Sequence, residues 1–341
     1  MAEIRIGIVG FGAWGPNHLR NMRAQEGVQV TMVADLSQDR LAACRKMFPN
    51  VATTDDLDKL LASPDIDAVV VATPLVTHYE IIKKALNAGK HVLAEKPLTR
   101  TGDEAMEITQ LAESKGLTLM VGHVFMFNPG ILFLKAEIDK GELGRVYYID
   151  TVRTNLGPIR QDVGAIYDLA SHDISICNFL LGSQPIEVSA TGAHFLQDGK
   201  VEDVGFVTLV YPNNVVCNLH ASWLDPRKVR NLTVVGDKKM ATWDDMNTSE
   251  PVRIYDKGVQ NERKYRDFGE FHLILRDGNI MIPKVRMFEP LAAQDAHFIN
   301  ALRERTAVQS DGRTGVAVVR VLEAALESIK RRGQLTPVVR D

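Results

Sequence analysis

In the first third of the chain, apolar positions fall in short, nearly continuous runs separated by stretches of helical period. Residues 4–9 form one such run and stop at a glycine cluster, after which polar and apolar positions recur with the period of a helix. The unit then repeats, predicting strands at 28–34, 68–72, 91–94 and 117–121 and helices at 38–47, 79–87 and 103–114. Strands apolar at consecutive positions are buried on both faces, and their alternation with helices implies right-handed crossovers in a parallel sheet. The expected fold class is α/β, with residues 1–122 forming a doubly wound, Rossmann-type dinucleotide-binding domain.

Past Gly122 the rhythm changes. A helix is expected near 130–139, a strand at 146–154 and a helix at 169–181. Strand then follows strand at 186–194, 204–211, 214–223, 229–236 and 239–244. Turn signals such as Pro212-Asn213-Asn214 and Gly236-Asp237 separate several of them. Two helices, 290–304 and 314–330, close the chain. Residues 123–341 therefore read as an α+β domain with a mostly antiparallel open sheet, serving substrate binding and oligomerisation. No Pro/Gly/Ser-rich linker marks the boundary, so the two domains are expected to pack closely over a cleft.

Composition narrows the class of partner. At 341 residues the chain can build two cores, and 45% hydrophobic with 24% charged residues is a folded composition. Lys plus Arg number 40 and Asp plus Glu 43, a net charge of -3 without a long single-sign run. A nucleic acid or an anionic membrane gains no electrostatic support from this balance, which points to small-molecule ligands. The three cysteines, Cys44, Cys177 and Cys217, are dispersed and odd in number, fitting neither a disulfide framework nor a zinc cluster. No metal is expected. The apolar run 68–72 is far too short to span a bilayer, and Met1-Ala2-Glu3 opens no signal peptide, so a cytoplasmic protein is expected.

The candidate chemistry begins at the glycine cluster. Gly10-Phe11-Gly12-Ala13-Trp14-Gly15 spells G-x-G-x-x-G between a strand and a helix, where a tight turn brings backbone against a pyrophosphate at a helix N-terminus. Asp35 ends the second strand about 20 residues further on, where a carboxylate accepts both ribose hydroxyls and repels a 2′-phosphate. The cofactor is therefore expected to be NAD rather than NADP, with Arg40 the one nearby feature arguing otherwise. Two further turns lie over the same carboxyl edge of the sheet. Thr73-Pro74 precedes His78, and Glu95-Lys96-Pro97 follows the strand 91–94. Pro97 restricts the backbone of Lys96, which favours a positioned ammonium over a free surface charge.

In order and spacing, these three motifs resemble the glucose-fructose oxidoreductase, inositol dehydrogenase and rhizopine catabolism (Gfo/Idh/MocA) family, over roughly residues 3–330. The resemblance implies that Lys96 contacts a substrate hydroxyl. It also implies that an Asp-x-x-x-His element of the second domain, here Asp168-Leu169-Ala170-Ser171-His172, supplies further catalytic groups. At helical i, i+4 spacing both side chains share a face. The chemistry agrees with these roles. Oxidising a secondary alcohol needs a base for the hydroxyl proton as hydride leaves carbon, and histidine titrates near the working pH. His172 is assigned that task, Lys96 lowers the cost of alkoxide charge, and Asp168 orients His172 or holds a hydroxyl. His123, just past the strand 117–121, is a weaker candidate.

Substrate contacts are sought in two cationic stretches, since arginine forks suit phosphate. Arg153, Asn155 and Arg160 leave the strand 146–154, and Trp223 and Lys228 belong to a second basic segment on the sheet, with Arg227 and Arg230. The first stretch, followed by Tyr167-Asp168-Leu169, is similar to the subgroup acting on nucleotide-linked sugars, particularly 3-dehydrogenases of UDP-N-acetylglucosamine and its uronic acid. That resemblance implies a 3-keto sugar product, passed to an aminotransferase for 3-amino sugars of lipid A or other surface glycans. The alternatives are a dehydrogenase of the uronic acid or of a free polyol or inositol, and a non-catalytic nucleotide-sensing regulator. Alternating exposed apolar positions in 204–223 suggest a face covered by another subunit, hence a homodimer or homotetramer.

Overall fold

The computed structural model describes residues 3–157, 159, 163–196, 201–261 and 273–340. It divides into two units, Met1–Phe127 with Phe288–Glu323 and Asn128–Met287 with Ala324–Asp341. The first unit thus extends past residue 122 and recruits a segment from near the C-terminus, which the sequence reading assigned wholly to the second domain.

In chain order the first unit contains β1 (Ile4–Val9), α1 (Gly15–Arg23), β2 (Val28–Ala34), α2 (Gln38–Met47), β3 (Ala52–Thr54), α3 (Leu57–Ala62), β4 (Ala68–Val71), α4 (His78–Asn87), β5 (His91–Glu95), α5 (Gly102–Ser114) and β6 (Leu119–Gly122). All strand pairs are parallel, in the order β3-β2-β1-β4-β5-β6. This is the doubly wound arrangement whose strand order reverses between β1 and β4, and ligands bind outside the carboxyl ends at that reversal. Burial explains the apolar runs: all four residues of β4 are inaccessible, and Val69, Val71, Val92 and Val121 meet Ile82 and Ile108 from the covering helices. The short α3 has no long apolar period and was not expected. It starts where the Asp56 carboxylate accepts the amides of Asp58 and Lys59, an N-cap.

The second unit begins with α6 (Pro129–Asp139) and β7 (Val146–Thr154). A π-helical turn, Ile166–Ala170, runs directly into α7 (Ser171–Leu181). After these come β8 (Glu187–Ala193), β9 (Val204–Val210), β10 (Val216–Ser222), β11 (Val229–Gly236), β12 (Met240–Asp244), β13 (Val252–Tyr255), β14 (Gly258–Asn261), β15 (Leu273–Arg276) and β16 (Ile280–Met281). The chain closes with α8 (Pro290–Glu304) in the first unit, α9 (Gly312–Lys330), and β17 (Thr336–Pro337) in the second. Nine strands form one sheet, β16-β13-β12-β11-β7-β10-β9-β8-β17, antiparallel except for the β7–β10 pair. β14 and β15 make a separate hairpin. Strands β13 to β17 lay outside the expected set, being only two to four residues long, too short for a period to stand out even where β13 alternates.

Candidate active site

The glycine turn is shaped by what a side chain would strike. Gly10 has φ +95, and a Cβ there would lie 2.6 Å from the Ala72 carbonyl oxygen; a Cβ on Gly15 would lie 2.1 Å from the Gly10 oxygen. Only glycine lets β1, β4 and the start of α1 approach this closely. No side chain caps α1, which begins after Trp14; Pro16 has no N–H and the Asn17 amide donates to the Trp14 oxygen at 2.9 Å, which leaves the Gly15 amide as the first-turn donor for an anion. Asp35 directly follows β2, its side chain 6% exposed. Its carboxylate accepts the Phe11 amide at 2.6 Å and the Ser37 amide at 2.8 Å, with the Arg40 guanidinium 3.5 Å away. A carboxylate has about four acceptor positions, so capacity remains for ribose hydroxyls. A cleft runs from Asp35 and Leu36 across Gly10 to Thr73, Pro74 and Ile81. A β-strand edge, an uncapped helix start and a carboxylate beside an apolar slot fit a dinucleotide.

Some cofactor candidates act through backbone alone. Phe11 is 3% exposed and packs edge-on against Phe48, so only its amide faces the turn. Gly12, Ala13 and Trp14 lie on the accessible side, Trp14 being 47% exposed. His78 is buried; its Nδ1 lies 3.0 Å from the Pro97 oxygen and its Nε2 2.9 Å from the Thr73 oxygen. It joins the Thr73-Pro74 turn to the Glu95-Lys96-Pro97 turn instead of offering its ring to a ligand. Thr73 also receives the Thr77 hydroxyl at 2.8 Å. Lys96 follows directly on β5, half-buried, between Glu95 and a fully buried Pro97–Leu98 pair. His123 is 0% exposed, and neither ring nitrogen finds a hydrogen-bond partner among the described residues. Burial, assisted by the Lys96 cation, pushes its pKa down to about 3, so it stands neutral beside Lys96.

In the second unit, Asp168 lies in the π-helical turn and His172 one residue into α7. The widened i→i+5 turn takes in Leu169 and Ala170, the first two residues of the helix expected at 169–181, and α7 forms the rest; such turns gather at functional sites. Both residues are partly exposed, whereas Ala170, Ser171, Asp173 and Ile174 are buried. The start of this segment is held by Glu202, whose carboxylate accepts the Ile166 amide at 3.1 Å and whose main-chain oxygen accepts the Ala165 amide at 2.8 Å. Gly164 makes room for it, since a Cβ there would lie 2.1 Å from the Glu202 carboxylate. Burial pushes the Glu202 carboxyl above its usual range, opposed by its own amide and that of Ile166. The sequence reading missed Glu202, a charged residue before β9 with no motif around it.

The substrate candidates fare unevenly. Arg153 requires correction: it is 2% exposed, and its Nε and Nη2 donate to the two Asp173 oxygens at 2.9 and 2.8 Å. That two-pronged pair occupies the fork expected to face phosphate. The reason is register, because Arg153 lies on the covered face of β7 under α7. Trp223 is corrected likewise, being 2% exposed in the core. Asn155 is half-buried just after β7, its amide donating to the Ser222 oxygen at 3.1 Å. Lys228 is exposed before β11. Arg160 lies outside the described residues. No cluster that could hold a metal occurs among the described residues, and none of their helices is long and apolar enough to cross a membrane.

Comparison with known proteins adds to this geometry. Residues 4–123 match the NAD-binding Rossmann-fold oxidoreductase family GFO_IDH_MocA, and residues 131–242 match the GFO/IDH/MocA C-terminal domain. Over 336 residues, 96% of each chain, the protein is 30% identical to UDP-N-acetylglucosamine 3-dehydrogenase of Acidithiobacillus ferrooxidans. The chain belongs to the Gfo/Idh/MocA oxidoreductase family. It is also 25% identical over 344 residues to inositol 2-dehydrogenase of Rhizobium meliloti, covering 98% of this chain and 99% of that one. Among solved structures it superposes on UDP-N-acetylglucosamine 3-dehydrogenase GnnA from A. ferrooxidans with a TM-score of 0.82 and 26% identity, covering 97% and 99% of the two chains. It shares its fold with GenD2 of gentamicin A biosynthesis, solved with NAD, at TM-score 0.84 and 24% identity, covering 100% and 97%. This Gfo/Idh/MocA protein is thus an NAD-dependent oxidoreductase, and the reading as a non-catalytic regulator falls away.

Proposed function

We propose that the protein oxidises the 3-hydroxyl of a nucleotide-linked amino sugar, UDP-N-acetylglucosamine before its uronic acid. The observation that carries this reading is the full-length likeness to UDP-N-acetylglucosamine 3-dehydrogenase in both sequence and structure. Bound NAD supplies a hydride acceptor. The chain supplies the rest: Gly10 to Gly15 and Asp35 hold the dinucleotide, Lys96 steadies negative charge on the sugar oxygen, His172 takes its proton, and Asp168 orients His172 or holds a neighbouring hydroxyl. Within this substrate class the uronic acid ranks below the plain amide sugar, because no arginine dedicated to a C6 carboxylate is identified among the described residues. A free polyol or inositol is the second reading, favoured by one specific observation: Arg153 is committed to Asp173, which removes one cation from diphosphate recognition.

The test is a panel of UDP-sugars and free polyols with NAD, following NADH formation with an amino acceptor and an aminotransferase coupled to remove ketone. UDP-N-acetylglucosamine is expected to give the highest kcat/KM, by at least about tenfold over free inositol; a higher value for inositol overturns the proposal. The aminotransferase that removes the ketone is the proposed partner in the cell. We further propose a homodimer or homotetramer through the outer sheet face, where Tyr148 on β7 and Phe206 on β9 stand 45% and 52% exposed and Phe206 stacks on His220 at 4.5 Å. Light scattering at micromolar concentration is expected to give at least twice the chain mass, and a Phe206→Glu variant to give the single-chain mass.

A further inference from the structure

His18 belongs to none of the motifs singled out from the sequence, yet both nitrogens of its buried ring face carboxylates. It lies on α1, the helix that begins at Gly15, and is 1% exposed. Its Nδ1 faces the Asp295 carboxylate on α8 at 3.0 and 3.2 Å, and its Nε2 faces Glu95 Oε1 at the end of β5 at 2.9 Å. Asp295 is 0% exposed, and the Glu95 side chain is 13% exposed. With a carboxylate oxygen at each nitrogen, the ring satisfies both only by donating from both, which makes it an imidazolium. The second Glu95 oxygen accepts the Lys96 amide at 3.3 Å. One carboxylate therefore ties the His18 ring to the main chain of Lys96.

We infer that His18 is a positioning residue for the reaction, acting through Glu95 to set the place and electrostatic surroundings of Lys96. The inference rests on the reading that Lys96 serves the sugar hydroxyl. Four charges are involved, His18 and Lys96 positive against Glu95 and Asp295 negative, and the neutral His123 ring lies beside Lys96 and Glu95. At the solvent end of the same helix pair, Arg20 and Glu289 form a further ion pair. Removing the imidazolium strands two buried carboxylates. Glu95, the nearer to the substrate edge, then draws on the Lys96 ammonium or takes up a proton and lets the Lys96 turn shift. Burial disfavours a charged His18, but Asp295 and Glu95 outweigh it and raise its pKa to about 10. Burial lifts the Glu95 carboxyl too, yet His18 and Lys96 outweigh that and hold it below its usual range.

The test uses the full-length protein in three variants, Lys96→Ala, His18→Gln and Asp295→Asn, with kcat, sugar KM, NAD affinity and melting temperature read for each. His18→Gln is expected to lower kcat by roughly 10- to 100-fold, the scale of a misplaced catalytic group, while NAD affinity and sugar KM stay within about threefold. Asp295→Asn keeps the ring but removes one of its two countercharges, so His18 loses its proton at lower pH than in the parent. Its kcat is expected to match the parent near pH 6 and fall away as pH rises towards 9, where the parent stays level. A purely structural role lowers melting temperature and leaves the kcat profile unmoved. Parent-like kcat in His18→Gln, or a profile of Asp295→Asn that superposes on the parent's, overturns the inference. Should His18→Gln fail to fold, the Asp295→Asn profile decides alone. Inactive Lys96→Ala with unaffected His18 and Asp295 variants removes this inference only; active Lys96→Ala removes the reading beneath it as well.

Discussion

Lys96→Ala is expected to cut NADH formation by roughly 10²- to 10⁴-fold at saturating sugar and NAD, while NAD still binds with close to parental affinity. The range is what one positioned acid, base or countercharge contributes to a transition state. The separation of effects follows from where the residue stands. The dinucleotide cleft is lined by Asp35, Gly10 and the Thr73-Pro74 turn, whereas Lys96 follows β5, one strand further along the sheet. Its turn is held independently of its side chain, because the buried His78 ring stands between the Pro97 and Thr73 oxygens, 3.0 and 2.9 Å from its two nitrogens, and donates to one of them. Truncating Lys96 therefore removes an ammonium without loosening the loop. Lys96→Arg is expected to be almost as damaging, since a planar fork does not substitute for a compact point charge. Calorimetric titration of NAD beside single-turnover rates separates the two quantities, and a rate within threefold of the parent would remove Lys96 from the chemistry.

The second large effect concerns stability. Arg153→Leu is expected to destabilise the fold by about 3–5 kcal/mol, the cost of leaving a buried carboxylate without its counterion. The arginine and Asp173 side chains are 3% and 4% exposed and meet in a two-pronged pair across β7 and α7. The double variant Arg153→Leu with Asp173→Leu is expected to recover most of the loss, because two apolar side chains of similar volume replace the pair at little cost. Thermal melting of the parent, both single variants and the double variant completes the cycle. An Arg153→Leu protein that melts with the parent but shows a raised sugar KM would return this residue to the phosphate-binding role first expected of it.

Those two residues mark how far the sequence alone reaches. The placement of Lys96 directly after β5 was legible because its neighbours constrain it locally: a strand before, a proline after, and a known order of motifs around it. The same holds for the glycine turn and Asp35, where spacing along the chain carries the geometry. Arg153 was misread because the covered and open faces of β7 carry no clear contrast: Val146, Ile149, Thr151, Arg153 and Thr154 are buried while Tyr147, Tyr148 and Asp150 are exposed. A cation in such a strand gives no sign of facing inward until its partner on α7 is known. His18 and Asp295 were invisible for a different reason. They are far apart in the chain, and a lone histidine in an amphipathic helix looks like any other polar position. The strands β1, β2 and β4 to β6 were readable from continuous apolar runs, while the two-residue edge strands of the second sheet were not, being too short to show any period.

The assignment of Phe288–Glu323 to the first unit bears on how the molecule is made. During synthesis the parallel sheet emerges early, but Asp295 and the whole of α8 leave the ribosome only after nearly all of the other unit. Until then the nascent His18 has one carboxylate instead of two, and the surface of α1 that α8 will cover stays open to water. Completion of the nucleotide-binding half is thus a late, long-range event, and a protein halted anywhere between the two segments carries the glycine turn on an unfinished scaffold.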